Sequence, residues 1–255
     1  MTFGMQQFML KDKVALVTGG SRGIGRAIAL GLATAGARVA ISSRKQTDLD
    51  AVQSELAGLG SESLAVAAHL GKMEDITSLI SRVMEKFGRI DILINNAATN
   101  PTVDPAMDYT ERAWDSIMNL NLKGLFFLSQ GVARLMKDQS GGSILNVASV
   151  EGIRPSILAV YGISKAGVIY ATKVMAKEWA VYKIRVNAIA PGITRTRFAE
   201  FWWKDPELLK TASSMIPIGR TAEPDEMVGA VIFLVSDASG YITGQVLAID
   251  GGISV

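Results

Sequence analysis

Lys13-Val14-Ala15-Leu16-Val17-Thr18-Gly19-Gly20-Ser21-Arg22-Gly23-Ile24-Gly25 decides the fold. Its first six residues suit a short buried strand, and the glycines then turn the chain into an Ala/Ile/Leu-rich helix that ends at Gly36. Glycines at 19, 23 and 25 allow a tight turn, close approach of backbone to a pyrophosphate, and helix packed tightly on strand. A helix starting there presents free N–H groups and the positive end of its dipole to phosphates, with Ser21 and Ile24 in the same loop. The spacing is G-x-x-x-G-x-G, not the dinucleotide fingerprint G-x-G-x-x-G, so a strand-to-helix turn without ligand is the alternative.

Outward from that loop, strand-like runs alternate with helical periodicity. Strands are expected at 13–18, 38–43, 62–68, 90–94, 142–148, 184–189 and 245–249. Helices are expected at 23–36, 46–59, 73–87, 111–137, 159–181 and 224–236. This alternation predicts an α/β fold, a Rossmann-type doubly wound parallel sheet of about seven strands with helices on both faces. No repeat, low-complexity tract or Pro/Gly-rich linker divides the chain, so residues 1–255 read as one domain.

Composition narrows the function. The 255 residues are 49% hydrophobic, enough for a sizeable core. A net charge of +2 with no basic cluster gives no footprint for nucleic acid. The lack of cysteine excludes disulfides, thiol catalysis and Cys-ligated metal, and suits a cytoplasmic location. With a single histidine as well, no metal site is expected. No apolar run approaches membrane-spanning length, and residues 1–10 lack the basic start and apolar core of a signal peptide.

Tyr161-Gly162-Ile163-Ser164-Lys165 carries the chemistry. Tyrosine and lysine at i and i+4 share one helix face, about 5–6 Å apart at Cβ, so the ammonium can act on the phenol. A tyrosine with an ordinary pKa of about 10 needs roughly 3 units of depression to work as a base near neutrality. Nearby positive charge from Lys165 and a bound nicotinamide could supply it.

Together with Thr18-Gly19…Gly23-Ile24-Gly25, Asn95-Asn96-Ala97-Ala98, Asn121, Ser149 and Pro191-Gly192, this pattern resembles the short-chain dehydrogenase/reductase family over about residues 11–252. His69-Leu70-Gly71-Lys72, Thr99-Asn100-Pro101 and Tyr241-Ile242-Thr243-Gly244 are most similar to its tetrameric carbonyl reductases. The resemblance implies that Tyr161 exchanges a proton with the substrate oxygen, Ser149 hydrogen-bonds that oxygen, and Lys165 tunes Tyr161 and holds the nicotinamide ribose. Asn121, chosen over Asn119, would complete a proton relay through water near Lys165. Asn96 would belong to the cofactor site, and His69 and Leu70 would border adenine. Thr194 and Thr196 would bind near the carboxamide and phosphates.

Two departures stand out. Ser149 and Tyr161 are one residue closer than is usual in the family, with the shortening expected between Ile153 and Leu158 and with Ser156 a poorer substitute for Ser149. His69 stands where the family often has aspartate.

Charge selects the nicotinamide. The second strand ends in Ile41-Ser42-Ser43-Arg44, without the carboxylate that would bind a ribose 2′-hydroxyl. Arg44 and Arg22 suit a 2′-phosphate, so NADP(H) is preferred, with NAD(H) possible. The segment 194–216, with Phe198, Phe201, Trp202 and Trp203 and a helix start at Asp205-Pro206-Glu207, reads as a substrate lid or an interface.

The expected activity is an NADP(H)-dependent oxidoreductase that interconverts a small-molecule carbonyl and an alcohol, assembled by resemblance as a homotetramer with 245–252 near an interface. Alternatives are a 3-oxoacyl thioester reductase, an NAD-dependent alcohol or sugar dehydrogenase, and a nucleotide-binding redox sensor or scaffold.

Overall fold

The computed structural model describes residues 4–200 and 205–255. Seven parallel strands form one sheet in the order β3-β2-β1-β4-β5-β6-β7. They are β1 (Val14–Thr18), β2 (Arg38–Ser43), β3 (Ser63–Ala67), β4 (Ile92–Asn95), β5 (Gly142–Val147), β6 (Ile184–Pro191) and β7 (Val246–Ile249). Helices α1 (Gly23–Thr34), α2 (Gln46–Gly58), α3 (Met73–Phe87), α4 (Glu111–Met118), α5 (Leu125–Asp138), α6 (Ala159–Trp179), α7 (Pro206–Ser214) and α8 (Val228–Val235) connect or cover them. The expected α/β architecture is therefore the observed one. No helix among the described residues is long and apolar enough to cross a membrane.

The period-two alternation of the strands divides the core. Val14 and Leu16 face one layer, packed with Leu79 and Val83 of α3, Leu128 and Val132 of α5, and Val168 of α6. Ala15 and Val17 face the other, packed with Ile28 and Leu32 of α1, Leu49 and Val52 of α2, and Val231 and Leu234 of α8. Because both faces are covered, the central strands are apolar on successive residues, as the sequence shows.

Between β4 and β5 the structure corrects the expected helix 111–137. Residues Asn119–Gly124 form a π-helical segment between α4 and α5. The wider turn shifts the register of the helix at the point where Asn121 is fully buried. A Cβ on Gly124 would lie 2.1 Å from the carbonyl oxygen of Leu70, so only glycine lets the segment lie against the chain leaving β3. The expected helix 224–236 also divides, into a 3₁₀ turn at Pro224–Met227 and α8. The start expected at Asp205 is present: its carboxylate accepts from the Glu207 and Leu208 amides, at 2.8 and 3.4 Å.

Polar side chains tie the layers in the centre of the sheet. The Asn95 amide donates to Ser129 Oγ (2.8 Å) and Asn146 Oδ1 (2.9 Å), and the Asn146 amide donates to Thr172 Oγ1 (2.9 Å). This chain joins β4, β5, α5 and α6 directly beneath the C-terminal strand ends.

Gly124→Ala should destabilise the protein by about 1–3 kcal/mol through overpacking against the Leu70 carbonyl. Gly58→Ala, at the open end of α2 with no atom within 4 Å of the new Cβ, should be neutral or stabilising by up to about 1 kcal/mol. Thermal melts of the two variants beside the parent measure both.

Candidate active site

In an open parallel sheet, crevices form where the strand order reverses, at the carboxyl ends of the strands. Here that point lies between β1 and β4, and a cleft of about 750 Å³ opens above it. The hydroxyl of Thr18, at the end of β1, donates to the Ile94 carbonyl (3.1 Å) and accepts from the Asn96 and Ala97 amides (3.0 and 3.1 Å). Asn96 returns the contact, donating its side-chain amide to the Thr18 and Gly19 carbonyls at 2.9 and 3.2 Å. Asn96 thus braces the glycine loop with its amide while also lining the cleft.

The loop fits a dinucleotide. Gly19 is left-handed at φ 64°, and a Cβ on Gly25 would stand 2.2 Å from the Gly19 carbonyl oxygen. Helix α1 begins with no side-chain cap, so the N–H groups of its first turn are left for a ligand at the cleft. Gly19, Ser21, Arg22, Gly23, Ile24 and Gly25 all line this end. At the end of β2, Ser43 and Arg44 line it too. Neither Arg22 nor Arg44 forms an ion pair among the described residues. The buried Ser42 hydroxyl, also at the cleft, meets no partner among them. Lys45 and Asp48 border the same end, and the sequence reading did not single them out.

His69 and Leu70 lie on the wall as expected. The His69 ring is partly committed to its own turn: Nδ1 accepts from the Gly71 amide at 3.1 Å, and the His69 amide donates to Asp75 at 2.7 Å. Thr194 and Thr196 also line the cleft. The methyl of Thr196 packs 3.0 Å from where a Cβ of Gly23 would lie, so the segment after β6 touches the glycine loop.

At the other end of the cleft Ser149, Tyr161 and Lys165 converge. Ser149 follows β5, while Tyr161 and Lys165 sit one turn apart on the buried face of α6. Ser149 and Tyr161 line the same end of the cleft and the Ser149 side chain acts on the phenol, so the shortened interval between them does not separate the pair. Ser156 instead donates to Glu151, and the Leu158 amide donates to Ser156 at 3.1 Å. Lys165 Nζ donates to the Val147 carbonyl at 2.7 Å and stands 5.5 Å from the centre of the Tyr161 ring. Phe198 packs against the Tyr161 ring at 5.4 Å between centroids, tilted by 45°. Phe201, Trp202 and Trp203 lie outside the described residues.

Burial pushes the Tyr161 phenol well above its ordinary pKa, the Ser149 hydroxyl nearby draws it back, and the charge of Glu151 raises it further. Burial also draws Lys165 down to about 7. The depression of Tyr161 expected from Lys165 and a bound nicotinamide is not what the protein alone provides: removal from water dominates, and Lys165 is not among the groups that act on the phenol.

The Asn121 side chain is committed to hydrogen bonds with its neighbours. Its Oδ1 accepts from the Thr99 amide at 2.8 Å, and its Nδ2 donates to the Thr99 carbonyl and Ser164 Oγ at 3.0 and 3.1 Å. The side chain therefore fixes the strand-end segment after β4 against α6, next to Lys165 in sequence, without reaching Nζ. Glu151 and Asn100 also line the cleft. A charged residue two positions after Ser149 was the signal available for Glu151.

Comparisons with known proteins agree with this architecture. Residues 19–254 match a family model described as enoyl-(acyl carrier protein) reductase. Dehydrogenase/reductase SDR family member 4 of Oryctolagus cuniculus is 39% identical over 244 residues, covering 95% of this chain and 94% of that protein. The 2-dehydro-3-deoxy-D-gluconate 5-dehydrogenase of Escherichia coli is 39% identical over 251 residues, covering 97% and 98%. Among solved structures, a candidate NAD(P)-dependent gluconate 5-dehydrogenase from Beutenbergia cavernae, with NADP bound at low occupancy, superimposes with a TM-score of 0.92. It is 36% identical, over 97% of this chain and 98% of that one. A relative of such identity over nearly the full length, and a matching fold, make this chain an oxidoreductase of the short-chain dehydrogenase/reductase family.

Proposed function

We propose that the chain is an NADP(H)-dependent carbonyl reductase/alcohol dehydrogenase in which one domain binds the cofactor and performs the chemistry. The observation that carries this reading is the convergence of Ser149, Tyr161 and Lys165 in the same cleft as the uncapped start of α1. In that cleft a nicotinamide would supply or accept the hydride. Ser149 holds the substrate oxygen and Tyr161 gives it a proton during reduction, or takes the proton during oxidation. A phenol held above its ordinary pKa is in its acid form at neutral pH, the form that reduction requires. Lys165 orients beneath the Tyr161 ring, and its bond to Val147 holds α6 on the end of β5. Asn121 acts as a positioning residue through Thr99 and Ser164. Phe198, in the chain after β6, packs against Tyr161, which supports a substrate lid at this end of the cleft.

At the far end, Arg22, Arg44 and Lys45 set three cations against the single carboxylate of Asp48. That balance favours a 2′-phosphate and supports NADP(H) over NAD(H). The solved relative that holds NADP supports the same choice. Reduction of a 3-oxoacyl thioester is the second reading, favoured by the description of the matching family model. A sensor or scaffold would need the glycine loop but not the Ser149–Tyr161–Lys165 cluster. A homotetramer belongs to this reading: β7 is a sheet edge, and Leu247 and Tyr241 expose apolar surface beside it.

Tyr161→Phe should lower kcat for carbonyl reduction by about 10²–10⁴-fold while NADPH still binds, measured by absorbance and by cofactor fluorescence titration. Arg44→Ala should reduce the NADPH/NADH ratio of kcat/KM about 10- to 150-fold, the loss of one charged hydrogen bond; an unchanged ratio removes Arg44 from this role. Lys165 gives a pH test. Its pKa is about 7 in the fold and about 10.4 in an unfolded chain. Between those values the unfolded state binds the extra proton, so stability rises with pH, by up to about 1.4 kcal/mol per unit. Lys165→Met should remove that slope in denaturant titrations of the ligand-free protein between pH 7 and about 9.5.

A further inference from the structure

Glu151 is a carboxylate at the reacting end of the cleft for which the proton chemistry has no use. It sits in a 3₁₀ turn, Val150–Gly152, whose backbone is fixed from several sides. The Glu151 amide donates to Ser149 Oγ at 3.2 Å. A Cβ on Gly152 would lie 2.6 Å from the Lys165 carbonyl carbon, and one on Gly162 would lie 2.9 Å from the Glu151 carbonyl oxygen. The turn is therefore pressed onto the first two turns of α6. The carboxylate itself is held by the Ser156 hydroxyl and lines the cleft with Ser149, Leu158, Tyr161 and Phe198.

Its electrostatic setting is one-sided. Glu151 forms no ion pair among the described residues. Arg154 influences it from outside, but that guanidinium is bonded to the Ile253 carbonyl. Arg197, across the cleft, is exposed, where water screens its charge. A half-buried acceptor beside the reacting atoms attracts a hydroxyl and repels an anion. The buried amide oxygen of Asn100, on the same cleft and next to the Thr99 fixed by Asn121, is a second acceptor without a partner among the described residues.

We propose that Glu151 is a specificity-determining residue that accepts a hydrogen bond from a substrate hydroxyl adjacent to the reacting carbon and excludes a carboxylate from that place. The substrate class is then neutral hydroxyketones and the corresponding polyols, in preference to 2-oxo acids. This inference rests on the carbonyl reductase reading above. Gln at position 151 preserves the size and the acceptor for Ser156 but removes the charge.

The experiment compares the parent and Glu151→Gln on matched pairs, dihydroxyacetone with hydroxypyruvate and erythrulose with its four-carbon 2-oxo acid, and on butanedione as an uncharged reference. Any change in Tyr161 acidity affects both members of a pair and cancels in their ratio. The parent should prefer the hydroxyketone, and Glu151→Gln should raise kcat/KM for the 2-oxo acid relative to it by at least about tenfold, the effect of removing a nearby like charge. Glu151→Ala, which also loses the acceptor, should in addition lower kcat/KM for the hydroxyketone. An unchanged pair ratio in Glu151→Gln, or an equal loss on every substrate, overturns the proposal. Reduction of butanedione alone by the parent overturns it while the carbonyl reductase reading stands; no reduction of any carbonyl with either cofactor overturns both.

Discussion

One hydroxyl holds the reversal of the sheet together. Parallel strands leave β1 and β4 side by side with their following chains departing to opposite faces, a geometry that opens a gap at the top of the sheet. The Thr18 hydroxyl bridges it with three hydrogen bonds to the chain around Ile94–Ala97, and the Asn96 amide bridges back. These contacts are buried or partly buried, and leaving a buried partner unpaired costs about 1–3 kcal/mol. The glycine loop can thus stay close-packed and still leave the N–H groups at the start of α1 open. The mouth of the cleft and the stability of the sheet rest on the same atoms.

At the other end, the requirement is to keep a lysine out of water beside a phenol. Lys165 is almost wholly buried, with the Val147 carbonyl as its hydrogen-bond acceptor. Isolation of this kind is unfavourable to a charged ammonium, and the surrounding structure compensates by fixing everything near it. The turn at Val150–Gly152 presses on α6, and the Asn121–Thr99–Ser164 contacts fix the neighbouring strand end. The Asn95–Asn146–Thr172 chain secures β5 and α6 from below. Rigidity here serves orientation, since a donor misplaced by about an ångström loses much of its value.

Most of the fold was legible because both covered faces of a parallel sheet leave a strong apolar signal, and because Gly and Pro mark the ends of elements. Tyr161 and Lys165 were legible as a pair because helical spacing alone puts them on one face. The π segment was not: its apolar pattern reads as continuous helix, and only a change of hydrogen-bond register distinguishes it. That hidden shift is also why Asn121 reaches Thr99 and Ser164. The polar network beneath the site escaped as well, since Asn95, Asn146, Ser129 and Thr172 are far apart in the chain and meet only after the strands pair. The raised phenol of Tyr161 shows a further boundary. Spacing indicates which charge is near, but the extent of burial decides which influence prevails.

The strand order also shapes how the chain emerges from the ribosome. β1 precedes the other six strands in the chain yet lies inside the sheet, and one of its two neighbours is β4. The bond from Asn96 to Thr18 spans 78 residues. At roughly 5–20 residues per second, synthesis takes about 4–16 s to cover that distance. Through that interval an apolar strand has one row of backbone groups unpaired, the condition in which nascent chains associate wrongly. The interior position of β1 thus leaves its edge toward β4 open until that later strand has been made.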